Sequence, residues 1–497
     1  MSHMKLKKVL KDIPVVEVKG SKEVEITGVC SNSKLISPGN LFIAKKGNSL
    51  DGALFISEAI SAGAIAVLTD LYDPSLKITQ IIHPDVHAIE PLIAAQFNHF
   101  PSESLFMVGI TGTNGKTTTA YLIKHLLDTF RGPCGLIGTI EYLIGNQTYQ
   151  ASRTTPDVST NQKLLREMIH NECRSAVMEV TSHALEQRRV DQIDYDVAIF
   201  TNLTEDHLDY HQTMENYCSA KLKLFKALRR EKHAKKNFPQ AAIINKDDSW
   251  HEKIIQGCTA EIISYGINHV ADLQAFDILF SARGTQFSLR YRQKTFRVQM
   301  PLIGRYNVYN CLAALGCGIS QGFPIDELIA AASTFPPVPA RLEPVSNPLE
   351  LKIYVDFAHS PDALKNVLMC LQEFNKGKII TVFGCGGDRD KLKRPMMAKI
   401  CEEYSDCCIV TSDNPRSEDP AVILQDILKG FSNQKSFVCE LDRRKAIEMA
   451  IDMASPEDIV LIAGKGHETY QIFAHHTVEF DDRVIVREYC NKLEFKV

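Results

Sequence analysis

Residues 106–119, FMVGITGTNGKTTT, constrain the rest of the chain most, because an apolar strand, a glycine-broken turn and a helix start follow one another directly. Phe106 to Ile110 has the composition of a buried strand, and Thr117 opens the amphipathic run TTTAYLIKHLL. Gly112 and Gly115 let backbone amides approach an anion with no Cβ in the way. Successive amides at a helix N-terminus bind phosphate oxygens, Lys116 neutralises charge, and the Thr117 hydroxyl is placed to ligate magnesium. The general pattern G-x-x-x-x-G-K-[ST] asks for glycine at position 110, where this chain has Ile110, with Gly109 one residue early. Nucleotide binding is therefore predicted, while the reaction that follows is left open.

The 497 residues predict about three domains at roughly 150 residues each. Charged content of 23% and a net charge of -4 give no reason to expect nucleic acid or a membrane surface as partner. Fourteen cysteines without a CxxC pair argue against a zinc ribbon or a disulfide scaffold and for reduced thiols in the cytoplasm. No apolar run has membrane-spanning length, and MSHMKLKKVL carries no signal-peptide core.

Residues 1–102 hold short apolar runs broken by turn chemistry: VEITGVCSNSK, SPGNLFIAKKG, then a helical FISEAISAGA leading into IAVLTD. They predict a small α/β domain. Its polar cluster Ser31, Asn32, Ser33 and the loop GNSLDG at 47–52 read equally well as ligand contacts or as ordinary turns. FPSES at 100–104 reads as a linker. From 103 to 338, strand-like FMVGI, SAVMEV, YDVAIFTN and AAIIN alternate with helical TTAYLIKHLL, STNQKLLREMI and ENYCSAKLKLFKAL. This predicts a mostly parallel sheet with helices on both faces and ligands at the carboxyl ends of its strands. Glu179, Thr201 and Asn202 sit there, followed by Asp206, His207 and His211. The i,i+4 histidines invite a zinc reading, but the HExxH glutamate is absent and an oxygen-preferring magnesium suits Glu179 better. The basic run from Lys221, KLKLFKALRREKHAKK, reads as a solvated helix face, Lys221 itself excepted. Asn307 and Asn310, one turn apart at a helix start, are a pair facing a base or a pair of caps.

Three prolines in TFPPVPA at 334–340 mark a second boundary. Beyond it, strand and helix patterns alternate again, as in a doubly wound domain. Polar residues end each strand: Asp356 and His359; Asp388 and Arg389; Asp413, Asn414 and Arg416; Lys465, His467 and Glu468. Four such sets at one sheet edge predict a binding site.

The strings GITGTNGKTTT, AVMEVTSHAL, FTNLTEDHLDYH, YCSAKLKLF, GRYNVYN, DFAHSPDAL, VFGCGGDRDKLKRP, TSDNPRSEDP and AGKGHETYQ, in this order over essentially the whole chain, resemble the Mur ligases. The shifted glycine is a feature of that family too. The resemblance implies an α/β fold of three domains: a small N-terminal uridine-binding domain at 1–102, a central P-loop parallel-sheet ATPase domain at 103–338, and a C-terminal doubly wound, Rossmann-like amino-acid domain at 339–497. It implies a cytoplasmic, monomeric amide ligase that uses ATP and magnesium to add the third stem-peptide residue to UDP-MurNAc-L-Ala-D-Glu through an acyl phosphate. Small molecules are then its partners, with no nucleic acid and no membrane.

Residue by residue, the resemblance implies that Gly112, Thr113, Asn114, Gly115, Lys116, Thr117 and Thr118 bind ATP phosphates. Asn307, Asn310, Arg341, Asp356 and His359 then lie around adenine, ribose and phosphate. Thr117, Glu179, His207 and a carbamylated Lys221 serve the metals; Lys116, Glu179, His207 and Lys221 are the catalytic set. Ser31 and Ser33 with Asn48, Ser49 and Leu50 match the uridine end, and Thr154, Thr155, Thr181, Gln187 and Arg189 the muramoyl peptide. Arg389, Asp413, Asn414, Pro415, Arg416, Gly464 and Glu468 match the amino-acid site. The DNPR motif resembles that of meso-diaminopimelate-adding members, and an arginine fork suits the carboxylate that lysine lacks. Three departures stand out: Ala340 where the family usually has glycine before the arginine, Asn32 and Lys34 where it has aspartate and arginine, and Arg153 where relatives carry a polar amide. Two rival readings are a ligase such as a folylpolyglutamate synthase, which the uridine-side turns and DNPR oppose, and a P-loop switch, which has no use for the third domain's polar edge.

Overall fold

The computed structural model describes residues 3–14, 17–47, 50–228, 235, 238–281, 283–432 and 437–494. Residues 1–271 with 313–328 form one compact unit, and 272–312 with 329–497 a second.

The first unit holds, among the described residues, a short two-stranded ribbon, Met4–Lys5 with Glu25–Ile26, and two larger sheets. In the N-terminal one, strands Gly28–Cys30, Asn40–Ile43, Ala66–Thr69 and Thr79–Ile82 run parallel, with Glu17–Lys19 antiparallel at the edge. Asn40–Ile43 is apolar on both faces because both are covered: Leu41 and Ile43 pack with helix Val86–Phe97, while Phe42 packs with helix Ile56–Ser61.

In the central sheet, Phe106–Thr111 lies between the parallel strands Ser175–Glu179 and Val197–Phe200, flanked further out by Cys134–Ile137, Ala241–Asn245 and Glu261–Gly266. All six of its residues are buried. Gly109 has a packing reason to be glycine, since a Cβ there would come within 2.9 Å of the Tyr195 ring and 3.1 Å of Leu224. That frees the phosphate loop from needing it. Cys134–Ile137, which the sequence reading omitted, brings Gly138 and Thr139 to the same sheet edge as Glu179.

The second unit contains an antiparallel meander, Leu273–Ser281, Gly284–Tyr291 and Lys294–Met300, within the span read as mostly parallel. Its strands alternate buried Ala275, Phe287, Leu289 and Val298 with exposed polar residues, and Arg292 and Gln293 (φ 46° and 62°) make the tight turn. The C-terminal sheet runs Glu343–Pro344, Lys352–Asp356, Ile459–Ala463, Ile379–Phe383, Cys407–Val410 and Phe437–Cys439, parallel except for the first. Helices Pro361–Gln372, Lys393–Tyr404 and Pro420–Leu428 cover one face. Arg443–Met453 and Asp482–Glu494 cover the other, joined by the fully buried Arg443–Asp482 ion pair at 2.8 Å. The domain is doubly wound, as expected. The cysteines are free thiols, and among the described residues no helix is long and apolar enough to cross a membrane.

Candidate active site

The phosphate loop joins the central strand to helix Lys116–Arg131 through two glycines with positive φ, Gly112 at 151° and Gly115 at 84°. A Cβ on Gly112 would collide with the Thr201 hydroxyl. The neighbouring strand end holds the loop in shape: Thr113 N donates to Asn202 O (2.8 Å), Asn114 N to Asn202 Oδ1 (2.9 Å), and Thr201 Oγ1 to Asn114 O (2.6 Å). Lys116 Nζ folds back onto the carbonyls of Gly112 (2.9 Å) and Thr113 (2.7 Å). Thr117 and Thr118 begin the helix, both buried.

Glu179 is 1% exposed and gathers hydroxyls from three elements. Thr117 Oγ1 donates to its Oε2 at 3.0 Å, Thr139 Oγ1 to the same oxygen at 3.0 Å, and Thr139 N to Oε1 at 2.9 Å. Thr155 Oγ1 donates to the Glu179 carbonyl (2.7 Å), and the Thr154 and Thr139 hydroxyls lie 3.1 Å apart. Arg189 donates to Thr155 O (3.0 Å) and to Gln187 Oε1 (2.6 Å), while Thr181 caps helix Ser182–Glu186 beside Thr155 (3.2 Å). The five residues matched to the muramoyl peptide thus form one network with the residue matched to the metal. Thr139 belongs to that network; it follows strand Cys134–Ile137, which the sequence reading omitted.

Lys221, on helix Met214–Lys226, is 1% exposed, with Nζ donating to Gly112 O at 2.9 Å and lying 4.4 Å from the Tyr217 ring centroid. Burial, reinforced by the Lys116 charge, pushes its pKa well below the usual lysine value. It is no part of a solvated face; the rest of the basic run lies partly outside the described residues. His207 takes a left-handed conformation (φ 55°) ahead of the short helix Leu208–His211. Its ring sits 4.9 Å from that of His183, which in turn lies 4.3 Å from Tyr210 and 5.4 Å from His211. Burial and the two neighbouring histidines push His183 down to about 4. His211 Nε2 meets Ser182 Oγ at 2.9 Å. Among the described residues no group of three or more His, Cys, Asp or Glu side chains could hold a metal by itself. A magnesium that keeps waters and nucleotide phosphates as most of its ligands needs only one or two protein oxygens, of the kind that the Glu179 carboxylate and Thr117 hydroxyl could supply.

In the N-terminal domain Ser31 and Ser33 are half-buried beside the strand Gly28–Cys30. Asn32 Oδ1 accepts from Lys34 N at 3.1 Å, so the turn keeps its side-chain cap without the aspartate charge. Leu50 is exposed, and Asn48 and Ser49 lie outside the described residues.

In the second unit, Asn307 and Asn310 sit near the start of helix Arg305–Ser320, where Asn310 Nδ2 donates to Asn307 Oδ1 (2.9 Å) and Asn307 Nδ2 to Ile303 O (2.8 Å). Both are buried. Asp356 Oδ2 accepts from Leu342 N at 2.6 Å, and burial raises its pKa against the opposing pull of Arg341. The Phe357 ring collects Arg341 (5.4 Å), His359 (4.6 Å) and His467 (4.9 Å). Ala340, buried, has φ 57°, the left-handed conformation for which glycine is suited.

At the far strand ends, Asn414 Nδ2 donates to Glu468 Oε2 (2.7 Å), and the fully buried Lys465 reaches Glu468 Oε2 (3.1 Å), Asn414 Oδ1 (3.3 Å) and Tyr470 O (2.6 Å). Gly464, φ 113°, lies so close that a Cβ would sit 2.7 Å from Asp413 Oδ2. Pro415 is buried, and Arg416, φ 55°, is pinned by its N donating to Ile472 O (3.0 Å), with Nη1 on Gly387 O (2.7 Å). Arg389 comes off the adjacent loop, with Nη1 3.3 Å from Asp388 O. All seven residues matched to the amino-acid site lie at this edge. Lys465 is the addition, read in the sequence only as one of the polar strand ends.

Three family profiles match the chain: "Mur ligase family, catalytic domain" over residues 25–100, "Mur ligase middle domain" over 110–318, and "Mur ligase, glutamate ligase domain" over 340–466. A UDP-N-acetylmuramoyl-L-alanyl-D-glutamate–2,6-diaminopimelate ligase of Chlamydia caviae is 44% identical, over 98% of this chain and 99% of the relative. The ligase of the same name from Syntrophomonas wolfei is 41% identical over 98% and 99%. A solved structure of such a ligase superimposes with a TM-score of 0.69 at 31% identity, covering 99% of this chain and 100% of that one.

Proposed function

The chain belongs to the Mur ligase family, and we propose that it joins meso-2,6-diaminopimelate to UDP-N-acetylmuramoyl-L-alanyl-D-glutamate, converting ATP to ADP and phosphate, in peptidoglycan precursor synthesis. The observation that carries the reading is the DNPR loop. Arg416 and Arg389 come off adjacent strand ends, next to the polar set of Asn414, Glu468 and Lys465. Among the described residues neither arginine side chain makes an ion pair; their hydrogen bonds go to main-chain carbonyls. A diamino dicarboxylate supplies the complementary charges, and lysine lacks the second carboxylate.

A carboxylate is a poor electrophile. The γ-phosphoryl group of ATP converts the substrate's glutamyl carboxylate into an acyl phosphate, and the amine of diaminopimelate displaces phosphate through a tetrahedral intermediate. The chain's own part is positioning and charge neutralisation. Amides of the 112–118 loop hold phosphate oxygens, and Lys116 leaves its loop carbonyls for the β- and γ-phosphates. Arg189, Gln187 and the threonines around Glu179 orient the muramoyl peptide. Thr117 would hold one magnesium, and Glu179, His207 and carbamylated Lys221 would hold a second; bound there, the ions would neutralise phosphate charge. Lys221 acquires its carboxylate when the neutral amine attacks carbon dioxide and releases a proton, and its burial favours that neutral form. Asn307, Asn310, Arg341, Asp356 and His359 receive the nucleoside, and Ser31, Ser33 and the 48–50 loop the uridine. The domain borders fall near 102 and 338, and the enzyme works as a cytoplasmic monomer.

The test is phosphate release with ATP, magnesium and the UDP-linked dipeptide, in the presence of meso-diaminopimelate, of L-lysine, or of neither. Release that depends on meso-diaminopimelate is expected. Equal release without any amine would replace the ligase by a simple nucleotidase.

A further inference from the structure

We propose that Asp388 and Glu418 form a clamp that fixes the distance between Arg389 and Arg416, making both acids positioning residues for recognition of the amino acid's second carboxylate. The inference rests on the function proposed above and goes beyond it, since neither acid belongs to the set matched to the amino acid.

The two arginines come from different loops, one after strand Ile379–Phe383 and one after Cys407–Val410. A fork made of two guanidiniums on separate loops recognises a carboxylate only if the loops are held in register, because bidentate geometry tolerates little displacement. Asp388 supplies the first tie. Its Oδ1 accepts from Ser417 Oγ at 2.6 Å and its Oδ2 from Ser417 N at 3.2 Å, so the residue just before Arg389 grips the residue just after Arg416. Glu418 supplies the second, with Oε1 accepting from Asp388 N at 2.7 Å.

Glu418 is itself anchored. The Arg394 guanidinium, fully buried, donates to its Oε1 at 2.9 Å and its Oε2 at 3.1 Å, and uses Asp426 (3.0 Å) as its other acidic partner. Three further features leave the two loops little room: Gly387 N donates to Asn414 O at 2.9 Å, a Cβ on Gly387 would strike Pro415 O, and one on Gly386 would lie 2.8 Å from Arg416 Nη1. Asp388 and Arg416 both hold left-handed conformations, φ 54° and 55°, which non-glycine residues adopt at a cost. The ties hold those conformations in place. A loop pair needed only for folding would be met by main-chain pairing; here the side-chain ties bracket the two arginines on either side.

The experiment compares wild type with Asp388→Asn, Glu418→Gln, Glu418→Asp and the milder Ser417→Ala, measuring KM for each of the three substrates and kcat. Asp388→Asn and Glu418→Gln are expected to raise KM for meso-diaminopimelate about 10-fold or more, the size of one lost charge-assisted hydrogen bond, with KM for ATP and for the UDP-linked dipeptide unchanged. Ser417→Ala, which leaves every buried charge paired, is expected to raise the same KM less, and Glu418→Asp to recover part of the Glu418→Gln loss. An unchanged KM for meso-diaminopimelate in folded Ser417→Ala and Asp388→Asn overturns the clamp, as does a parallel rise in all three KM values, which marks plain loss of structure. A wild type whose phosphate release ignores meso-diaminopimelate overturns the functional reading together with the clamp. Release dependent on meso-diaminopimelate with unchanged KM in the variants overturns the clamp alone.

Discussion

Lys116 and Lys221 donate to the same acceptor: each Nζ lies 2.9 Å from the Gly112 carbonyl oxygen. Two ammonium groups on one carbonyl repel, and the more buried of the two loses its proton more readily. That is Lys221, whose pKa is lowered by desolvation first and by Lys116 second. The arrangement distinguishes two lysines: Lys116, half-buried on the phosphate loop, and Lys221, fully buried and shifted toward its neutral form.

The consequence for activity is direct. Lys221→Ala is expected to lower phosphate release about 100-fold or more, the scale of losing a fixed group at a site of developing charge. Lys221→Arg is expected to do the same, since arginine keeps its charge and cannot take up carbon dioxide. Transferring the wild type into carbonate-free buffer should lower its rate reversibly. An active Lys221→Arg variant would remove the carbamate from the mechanism.

The proposed function assigns the choice of amino acid to Arg416. Arg416→Ala is expected to lower kcat/KM for meso-diaminopimelate by about 30-fold or more, in line with the 2–5 kcal/mol for truncating one partner of a buried charge pair. Use of L-lysine should change little, so the ratio between the two collapses. Retained discrimination in Arg416→Ala would move the specificity elsewhere in the domain.

Much of this was legible before any coordinates. The phosphate loop, the alternation of strand and helix, and the polar strand ends all follow from local chemistry, because a parallel sheet aligns its carboxyl ends whatever its sequence details. The meander at 273–300 was not read, since its strands carry alternating polar and apolar residues of modest β character. Thr139 and the Asp388–Ser417 tie were missed for a different reason. Each acts through a partner far along the chain, Glu179 at forty residues and Ser417 at twenty-nine, and spacing in sequence holds no trace of such a contact.

Acid should loosen the fold in a defined window. His183 and His467 are each pushed from 6.5 to about 4, by burial first and then by neighbouring cations and histidines, Arg341 and Arg483 leading for His467. Their folded values lie below the unfolded ones, so the unfolded chain binds more protons between pH 6.5 and 4 and stability falls as pH drops through that range. Glu418 behaves differently: held at about 2 by Arg394, it contributes stability above its usual 4.5 and loses it only as pH falls toward 2. The melting temperature is expected to fall on going from neutral pH to about 5. His467→Gln should flatten that dependence; a slope unchanged by His467→Gln would assign the acid sensitivity to other groups.

Ala340 is the departure from the family pattern with a visible cost. The turn before Arg341 is built for a left-handed residue: Ala340 has φ 57°, its N donates to Glu343 Oε2 at 2.6 Å, and its carbonyl accepts from Phe357 N at 3.0 Å. Those two bonds hold the conformation that the methyl group resists. A left-handed alanine costs about 1–2 kcal/mol, and glycine gives back about 0.5–1 kcal/mol through the freedom of the unfolded chain. Ala340→Gly is therefore expected to stabilise the protein by about 0.5–1 kcal/mol in denaturant titration. Ala340→Val should destabilise it, because a β-branched residue fits this conformation badly and a Cβ on Gly466 would already lie 3.0 Å from that of Ala340. The ordering glycine, alanine, valine is the signature of the turn. If glycine came out less stable than alanine, the backbone at 340 would have to be right-handed or extended in solution, and the placement of Arg341 beside Phe357 would have to be redrawn with it.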